Sequence, residues 1–348
     1  MRLALTEEFL ARGFKVDIVV ESADGPLARQ VPNGARVIDL QAPRARKALW
    51  KLSKYLRKER PAALISSMAH QGVIAALAGL LAFRRTPIFM TFHNFLGREI
   101  QDANDTNLPR LIRLLAPMCR AGICVSKGVA EDLIAVTGVH PTFVEVIYNP
   151  ASPQPAQLEM PLAPDLRLPK QDFVVSIGRL VPQKNQHLLL EAMRLVNDVR
   201  PIDLVIVGEG PMKEELEAKC RSLGLEGRVR FVGYTGNPLP VVSQAKLFVL
   251  SSDYEGFGNV IVEALACGTP VVSTDCPYGP SEILDGGRFG RLTPVGNARA
   301  LADAMLETLD VPPSRELLRA RAADFGRAKI ASEYLSMLDR RVNKCTVS

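Results

Sequence analysis

The chain is predicted to fold as two α/β domains, each built on a parallel sheet with helices on both faces. Three observations lead there. Short apolar runs of strand length alternate with longer stretches of helical period in both halves of the 348 residues. A proline-rich stretch, 149–170, separates the halves: six of its 22 residues are proline, and no helical period survives in it. The length suits two domains of ordinary size, each able to bury its own core.

The elements follow in order. Residues 2–12 have helical period, and Gly13 is placed to cap that helix. Residues 15–20 and 36–40 read as strands, 44–60 as a basic helix, 62–66 as a strand and 72–83 as an apolar helix. The run 87–91 is a strand, with His93 just past its end. A helix over 109–119, a strand at 121–125, a helix over 125–134 and a strand at 144–147 close the half. The second half restarts the alternation. Strands at 172–177, 204–207, 229–232, 247–250 and 271–274 are interleaved with helices over 186–196 and 212–223, and helices fill most of 298–342. The predicted boundaries are therefore a domain over 1–148, a linker over 149–170, a domain over 171–325, and a C-terminal helix and tail over 326–348.

Composition narrows the class. Hydrophobic residues make up 47% and charged residues 23%, which is globular and not disordered. The longest nearly apolar run, 72–83, is too short to span a bilayer. The opening residues read as an amphipathic helix and not as a signal peptide. The six cysteines are scattered, so they read as small buried residues of a reducing compartment. That places the chain in the cytoplasm.

Charge is uneven. Residues 1–150 carry 20 Lys and Arg against 13 Asp and Glu, whereas 151–348 carry 23 against 24. Eight of the basic residues fall in 44–60, where Leu49, Leu52 and Leu56 recur on one side. Two readings stay open. The helix lies on an anionic membrane surface, or its leucines face the protein core. Nucleic acid is disfavoured, because aromatic residues make up only 6% of the chain, too few for a stacking platform.

The most informative stretch is 251–270, SSDYEGFGNVIVEALACGTP. An apolar strand runs into a glycine-broken loop and then a helix start. Gly256 and Gly258 let backbone approach a ligand closely. The first N–H groups of the helix, near Gly258, Asn259 and Val260, suit an anion such as phosphate. Glu255 and Glu263 suit hydroxyl-rich groups. Backbone donors with two carboxylates together suggest a nucleotide-sugar.

This stretch, with its flank through PYGPSEIL, resembles the Glu-x7-Glu signature of retaining glycosyltransferases of GT-B type, especially glycosyltransferase family 4. The resemblance implies two Rossmann-like domains facing a cleft. By the same resemblance, Arg179 and Lys184 in GRLVPQK, after Gly178, neutralise the donor diphosphate as the leaving group gains charge. Glu263 binds ribose hydroxyls, and Glu255 lies near the donor sugar. Gly233 and Tyr234 open the loop that receives the base, Phe257 belongs to the donor loop, and His93 contacts the sugar. Asn149-Pro150 is the hinge. No metal and no cofactor are implied beyond the nucleotide-sugar itself, with UDP-sugar favoured and GDP-sugar possible.

The start of the chain departs from the family, whose members begin with a strand and a glycine-rich loop before a helix ending like LARGFKVDIVV. Here Met1 falls inside that helix, so the first domain reads as N-terminally incomplete and the strands flanking the missing one should have unpaired edges. The expected function is transfer of a hexose or N-acetylhexosamine to a glycan or lipid-linked acceptor of the cell envelope, on the cytoplasmic face of the membrane. The rivals are a non-catalytic sugar-nucleotide-binding protein and another GT-B enzyme such as a nucleotide-sugar epimerase. GEGP at 208–211 lacks the third glycine of a dinucleotide fingerprint and reads as a turn into a helix.

Overall fold

The computed structural model describes residues 2–24, 30–42, 45–83, 86–103, 107–163 and 166–343. It divides into two compact units, Met1–Pro150 with Arg327–Ser348, and Ala151–Gly326.

The first unit contains α1 (Arg2–Ala11), β1 (Asp17–Val20), β2 (Arg36–Asp39), α2 (Ala45–Glu59), β3 (Leu64–Ile65), α3 (Ala69–Leu81) and β4 (Ile88–Phe92). It continues with α4 (Leu96–Ala103), α5 (Leu108–Leu115), β5 (Ala121–Cys124), α6 (Lys127–Thr137) and β6 (Val144–Val146). All pairings are parallel. β1 pairs with β2 alone, and β3–β4–β5–β6 form a separate four-stranded sheet. Among the described residues, β1 and β3 are thus each paired on one side only. α3 covers one face of the larger sheet. Gly72 and Gly79 allow its close approach, since a Cβ there would come within 2.9 Å of Met90 and 2.7 Å of Ile88. On the other face Leu5 of α1 packs with Phe89, Ala121 and Ile123.

Two local features of this unit differ from the sequence reading. α4 has no counterpart in it. The helix expected over 109–119 ends at Leu115 and continues as a 3-10 turn, Ala116–Met118, because Pro117 has no N–H for an α-helical bond.

The second unit contains α7 (Pro155–Leu158), β7 (Phe173–Ile177), α8 (Gln186–Val199), β8 (Asp203–Val207), α9 (Lys213–Ser222), β9 (Val229–Phe231), α10 (Leu239–Gln244) and β10 (Leu247–Leu250). It continues with α11 (Asn259–Cys267), β11 (Val271–Thr274), α12 (Pro280–Ile283), β12 (Arg291–Thr293), α13 (Ala298–Asp310) and α14 (Arg315–Ala323). Its strands form one parallel sheet in the order β12-β11-β10-β7-β8-β9. The inner strands β7, β8, β10 and β11 are buried on both faces, as covered parallel sheets require, while the edge strands β9 and β12 are partly exposed. From β7 the chain adds strands outward to β9, then returns to β7's other side as β10. The order therefore reverses between β7 and β10, and ligands of such sheets bind beyond the strand ends at that point.

The stretch read as a linker is in part structured: α7 carries a capping box, with Gln157 receiving the Gln154 amide at 2.9 Å. Most of the stretch belongs to the second unit. The last helix, α15 (Arg327–Asn343), belongs instead to the first, where Ile330, Ala331, Tyr334 and Met337 join the core beside Leu5. Residues 344–348 of the expected tail lie outside the described residues.

Candidate donor-binding site

The loop after β7 and the loop after β10 meet at the sheet's switch point. β7 ends at Ile177 and is followed by Gly178, Arg179 and the 3-10 turn Pro182–Lys184. Asn185 then caps α8, its side chain accepting the Leu188 amide at 3.2 Å. Gly178 matters for packing: a Cβ there would meet Lys184 Cε at 3.3 Å, so the lysine stem lies against bare backbone.

From this position Lys184 Nζ donates to Glu255 Oε1 at 2.5 Å. Ser252 Oγ donates to the same carboxylate oxygen at 2.7 Å. Further bonds join the two loops. The Asp253 amide donates to the Gln183 carbonyl at 2.9 Å, and Gln183 Nε2 donates to the Tyr254 carbonyl at 2.9 Å. Asn185 Nδ2 reaches Asp253 Oδ1 at 2.7 Å. Ser251 Oγ holds the Lys184 carbonyl at 2.9 Å, and Thr274 Oγ1 holds the Ser252 carbonyl at 2.6 Å. Glu255, Ser251, Ser252 and Thr274 are all buried. A charged pair in such surroundings is held by its hydrogen bonds and not screened by water.

Gly256, Phe257 and Gly258 carry the chain into α11. Gly258 has φ 95°, so the helix begins at a left-handed residue and without a side-chain cap. Phe257 is buried, its ring edge-on to Phe325 at 5.5 Å between centroids, so its ring serves the core. Asn259 and Val260 form the helix's first turn. Glu263 lies in the second and is half-buried; burial pushes its carboxyl up to about 7. Arg179 is exposed at the mouth of the β7 loop.

The loop after β9 contains Gly233, φ 74°, whose carbonyl accepts the Gly208 amide at 2.8 Å. Tyr234 is exposed, and its amide donates to Glu209 Oε1 at 3.3 Å. GEGP is indeed a turn leading to α9, and its glycines have a steric role. A Cβ at Gly208 would stand 1.9 Å from the Gly178 carbonyl oxygen, and one at Gly210 2.3 Å from that of Leu180. Glu209 and Ser252 escaped the sequence reading. The position of GEGP at a strand end, beside GYTGN, was the available signal for Glu209; nothing local distinguished Ser252.

The structure thus gathers Gly178, Lys184, Glu255 and the residues leading into α11 at one end of the second sheet. His93 stands in the first unit, directly after β4 and partly buried. Burial, with the charge of Arg2, lowers its imidazole to about 3, so it is neutral in ordinary buffers. Among the described residues no group of three or more His, Cys, Asp or Glu is arranged to hold a metal ion, and no helix is long and apolar enough to cross a membrane.

Residues 163–325 match the family model described as Glycosyl transferases group 1, and residues 3–154 match the one described as Glycosyltransferase Family 4. Over 233 residues the chain is 34% identical to the N-acetylgalactosamine-N,N'-diacetylbacillosaminyl-diphospho-undecaprenol 4-alpha-N-acetylgalactosaminyltransferase of Campylobacter jejuni, covering 66% of this chain and 62% of that one. Over 170 residues it is 35% identical to the lipopolysaccharide core biosynthesis glycosyltransferase LpsE of Rhizobium meliloti, covering 47% and 49%. The aligned stretches span between about half and three-fifths of these relatives. Among solved structures, Anabaena HepE in complex with UDP superposes with a TM-score of 0.76 at 23% identity, over 97% of this chain and 96% of that one. The sucrose-phosphate synthase of Thermosynechococcus elongatus gives 0.78 at 23% identity, over 98% and 92%. These likenesses establish the shared fold.

Proposed function

We propose, for a chain that belongs to glycosyltransferase family 4 and has the GT-B fold, that it is a retaining hexosyltransferase. The donor is a nucleotide-sugar, UDP-sugar before GDP-sugar. The acceptor is a glycan or a lipid-linked glycan of the cell envelope. The observation that carries this reading is the Lys184–Glu255 pair at the switch point of the second sheet, beside the uncapped start of α11.

In this reading Arg179, Lys184 and the first turn of α11 receive the donor diphosphate. They stabilise the negative charge that grows on it as the glycosidic bond breaks. Glu263 accepts hydrogen bonds from ribose hydroxyls. Glu255 lies toward the sugar and stabilises positive charge developing at the anomeric carbon. Gly233 and Tyr234 offer backbone to the base. His93 is assigned to the transferred sugar on the family resemblance alone. These groups need no metal ion. The acceptor class draws on the relatives, whose names specify a diphospho-undecaprenol-linked sugar and the lipopolysaccharide core. The buried free cysteines accord with a cytoplasmic enzyme, peripheral on the membrane's inner face.

Thermal unfolding with UDP, GDP and their sugar conjugates tests the donor site. A ligand at a hundred times its dissociation constant adds about 2.7 kcal/mol of stability. Stabilisation by UDP, lost in Glu263→Ala, is the expected result. Transfer to lipid-linked or core-oligosaccharide acceptors, with the product anomer read by NMR, then tests retention. An inverted anomer, or no stabilisation by any nucleotide in a folded sample, would sink the reading.

A further inference from the structure

The loop that carries His93 runs from β4 directly into α4, and its far end is held from another helix. The residue before α4 is Phe95, which is buried and whose ring offers no acceptor to the helix's first amides. α6 supplies one instead. Asp132 Oδ2 accepts the Leu96 amide at 2.7 Å and the Gly97 amide at 3.3 Å. A carboxylate at that place also suits the positive end of the helix. α4 packs on α6, and Gly97 leaves room for the contact. A Cβ there would stand 3.2 Å from Asp132 Oδ1 and 3.6 Å from Val136 Cγ2.

The helix that carries Asp132 is itself fixed to the sheet. β5 leads into α6 and pairs with β4 as far as Phe92. The Val125 amide donates to the Phe92 carbonyl at 3.2 Å, and the buried Ser126 caps α6, its Oγ accepting the Val129 amide at 3.1 Å. Residues 93–95 therefore bridge two anchored points, the end of β4 at Phe92 and the clamped start of α4 at Leu96. Both anchors are buried. A link this short, tied at each end, leaves the His93 backbone little freedom. Burial and Arg2 set the lowered value of the imidazole; Asp132 reaches the ring through the backbone of the loop.

We infer that Asp132 is a positioning residue for His93. It pins the start of α4 and so fixes where the imidazole stands beyond the end of β4. The inference rests on the reading of His93 as a contact of the transferred sugar, and it adds to that reading a residue of α6 that acts only through its neighbour. Misplacement of a contacting group by about 1 Å costs about a hundredfold in rate, even when its cause lies away from the chemistry. A cap lost at α4 is therefore felt at the sugar.

Two readouts on the purified full chain test this. The first needs no substrate. The His93 resonance, identified by its absence in His93→Asn, is followed by proton NMR from pH 8 to 5. In the wild type and in Asp132→Asn, whose amide oxygen still accepts both N–H groups, the imidazole stays silent. In Asp132→Ala the start of α4 frays, water reaches the ring, and the resonance moves and titrates. A resonance in Asp132→Ala that keeps its wild-type position and silence overturns the inference. Should Asp132→Ala fail to fold, Gly97→Ala serves in its place: the added methyl pushes α4 away from Asp132, and an unmoved His93 resonance is again a refutation. The second readout is transfer. Asp132→Ala lowers kcat/KM about as far as His93→Asn does, by about tenfold or more, while the rise in melting temperature caused by UDP is unchanged. The double variant loses no more than either single one; additive losses count against the inference. A fully active His93→Asn removes His93 from the sugar site and takes the inference with it. A defective His93→Asn beside a fully active Asp132→Ala refutes the inference alone.

Discussion

Lys184 and Glu255, 71 positions apart, are joined by a 2.5 Å hydrogen bond between Nζ and Oε1. Strand order makes the meeting possible: the two residues follow β7 and β10, which are neighbours in the sheet. Ser252 Oγ supports the carboxylate on the same oxygen. A bound diphosphate would therefore meet a lysine already engaged and a carboxylate already fixed.

The pair should respond asymmetrically to truncation. Lys184→Met leaves a buried carboxylate without its cation and should destabilise the fold by about 3 kcal/mol. Lys184→Met combined with Glu255→Gln should recover most of that loss. Urea unfolding of the two single variants and the double variant measures it. Equal, additive losses would show that the ion pair is not coupled.

The glycines after β8 and before α12 should be intolerant for a steric reason. At Gly279, φ 86°, a Cβ would stand 2.1 Å from the Phe257 carbonyl oxygen; at Gly208, φ 145°, 1.9 Å from that of Gly178. Alanine at either site should cost more than about 3 kcal/mol, because backbone must move. Gly224, φ 67° with no neighbouring atom within 4 Å, is the control. Alanine there should cost only about 1–2 kcal/mol, the left-handed penalty. Denaturant midpoints of the three variants check the contrast, and a Gly224→Ala loss as large as the others would refute the steric account.

What the sequence disclosed follows from the range of each determinant. The strand, loop and helix around Glu255 were legible because glycines punctuate an otherwise periodic pattern. Proline marks 149–170 in the sequence as a break in the helical pattern. The Lys184–Glu255 bond was not, since it depends on which strands are neighbours. The return of α15 to the first unit was not, because its apolar stripe does not say which core it completes. Leu52 and Leu56 could have faced lipid or protein on periodicity alone, and only the packing of α2, which buries both, decided. α4 escaped because its eight residues carry too short a pattern to separate from a loop.

Glu263 should make stability and ligand affinity depend on pH in opposite senses. Burial raises its carboxyl from 4.5 to about 7. Between those values the unfolded chain has released a proton that the folded chain keeps, so stability falls as pH rises through the window and levels off above about 7. The contribution is at most about 3 kcal/mol. Glu263→Gln should remove this slope and be the more stable protein at pH 8. Ribose hydroxyls favour the ionised carboxylate, so UDP should bind the wild type more tightly at pH 8 than at pH 6. Melting curves and calorimetric titration across pH 5–8 test both; a wild type and variant with parallel pH profiles would remove Glu263 as the titrating group.

His93 should be silent where histidines usually titrate. Burial is the larger cause of its lowered value, about 3, and the nearby Arg2 guanidinium the lesser. Arg2 is held in place by its bond to the Ser66 carbonyl at 2.7 Å. From pH 8 down to about 5 the folded imidazole stays neutral, whereas the unfolded one gains a proton below about 6.5. The contribution of His93 to stability is therefore full above pH 6.5 and declines as pH falls toward 3. A neutral ring can orient a sugar hydroxyl but cannot supply a cation to the leaving group, a task that the proposed function gives to Arg179 and Lys184. Proton NMR of the four histidines should show one imidazole, absent in His93→Asn, that does not shift between pH 8 and 5. The pH profile of kcat/KM should likewise lack a limb near 6.5 that His93→Asn abolishes. Such a limb would mean that the ring gains a proton in the working enzyme, and the orienting role would have to be given up.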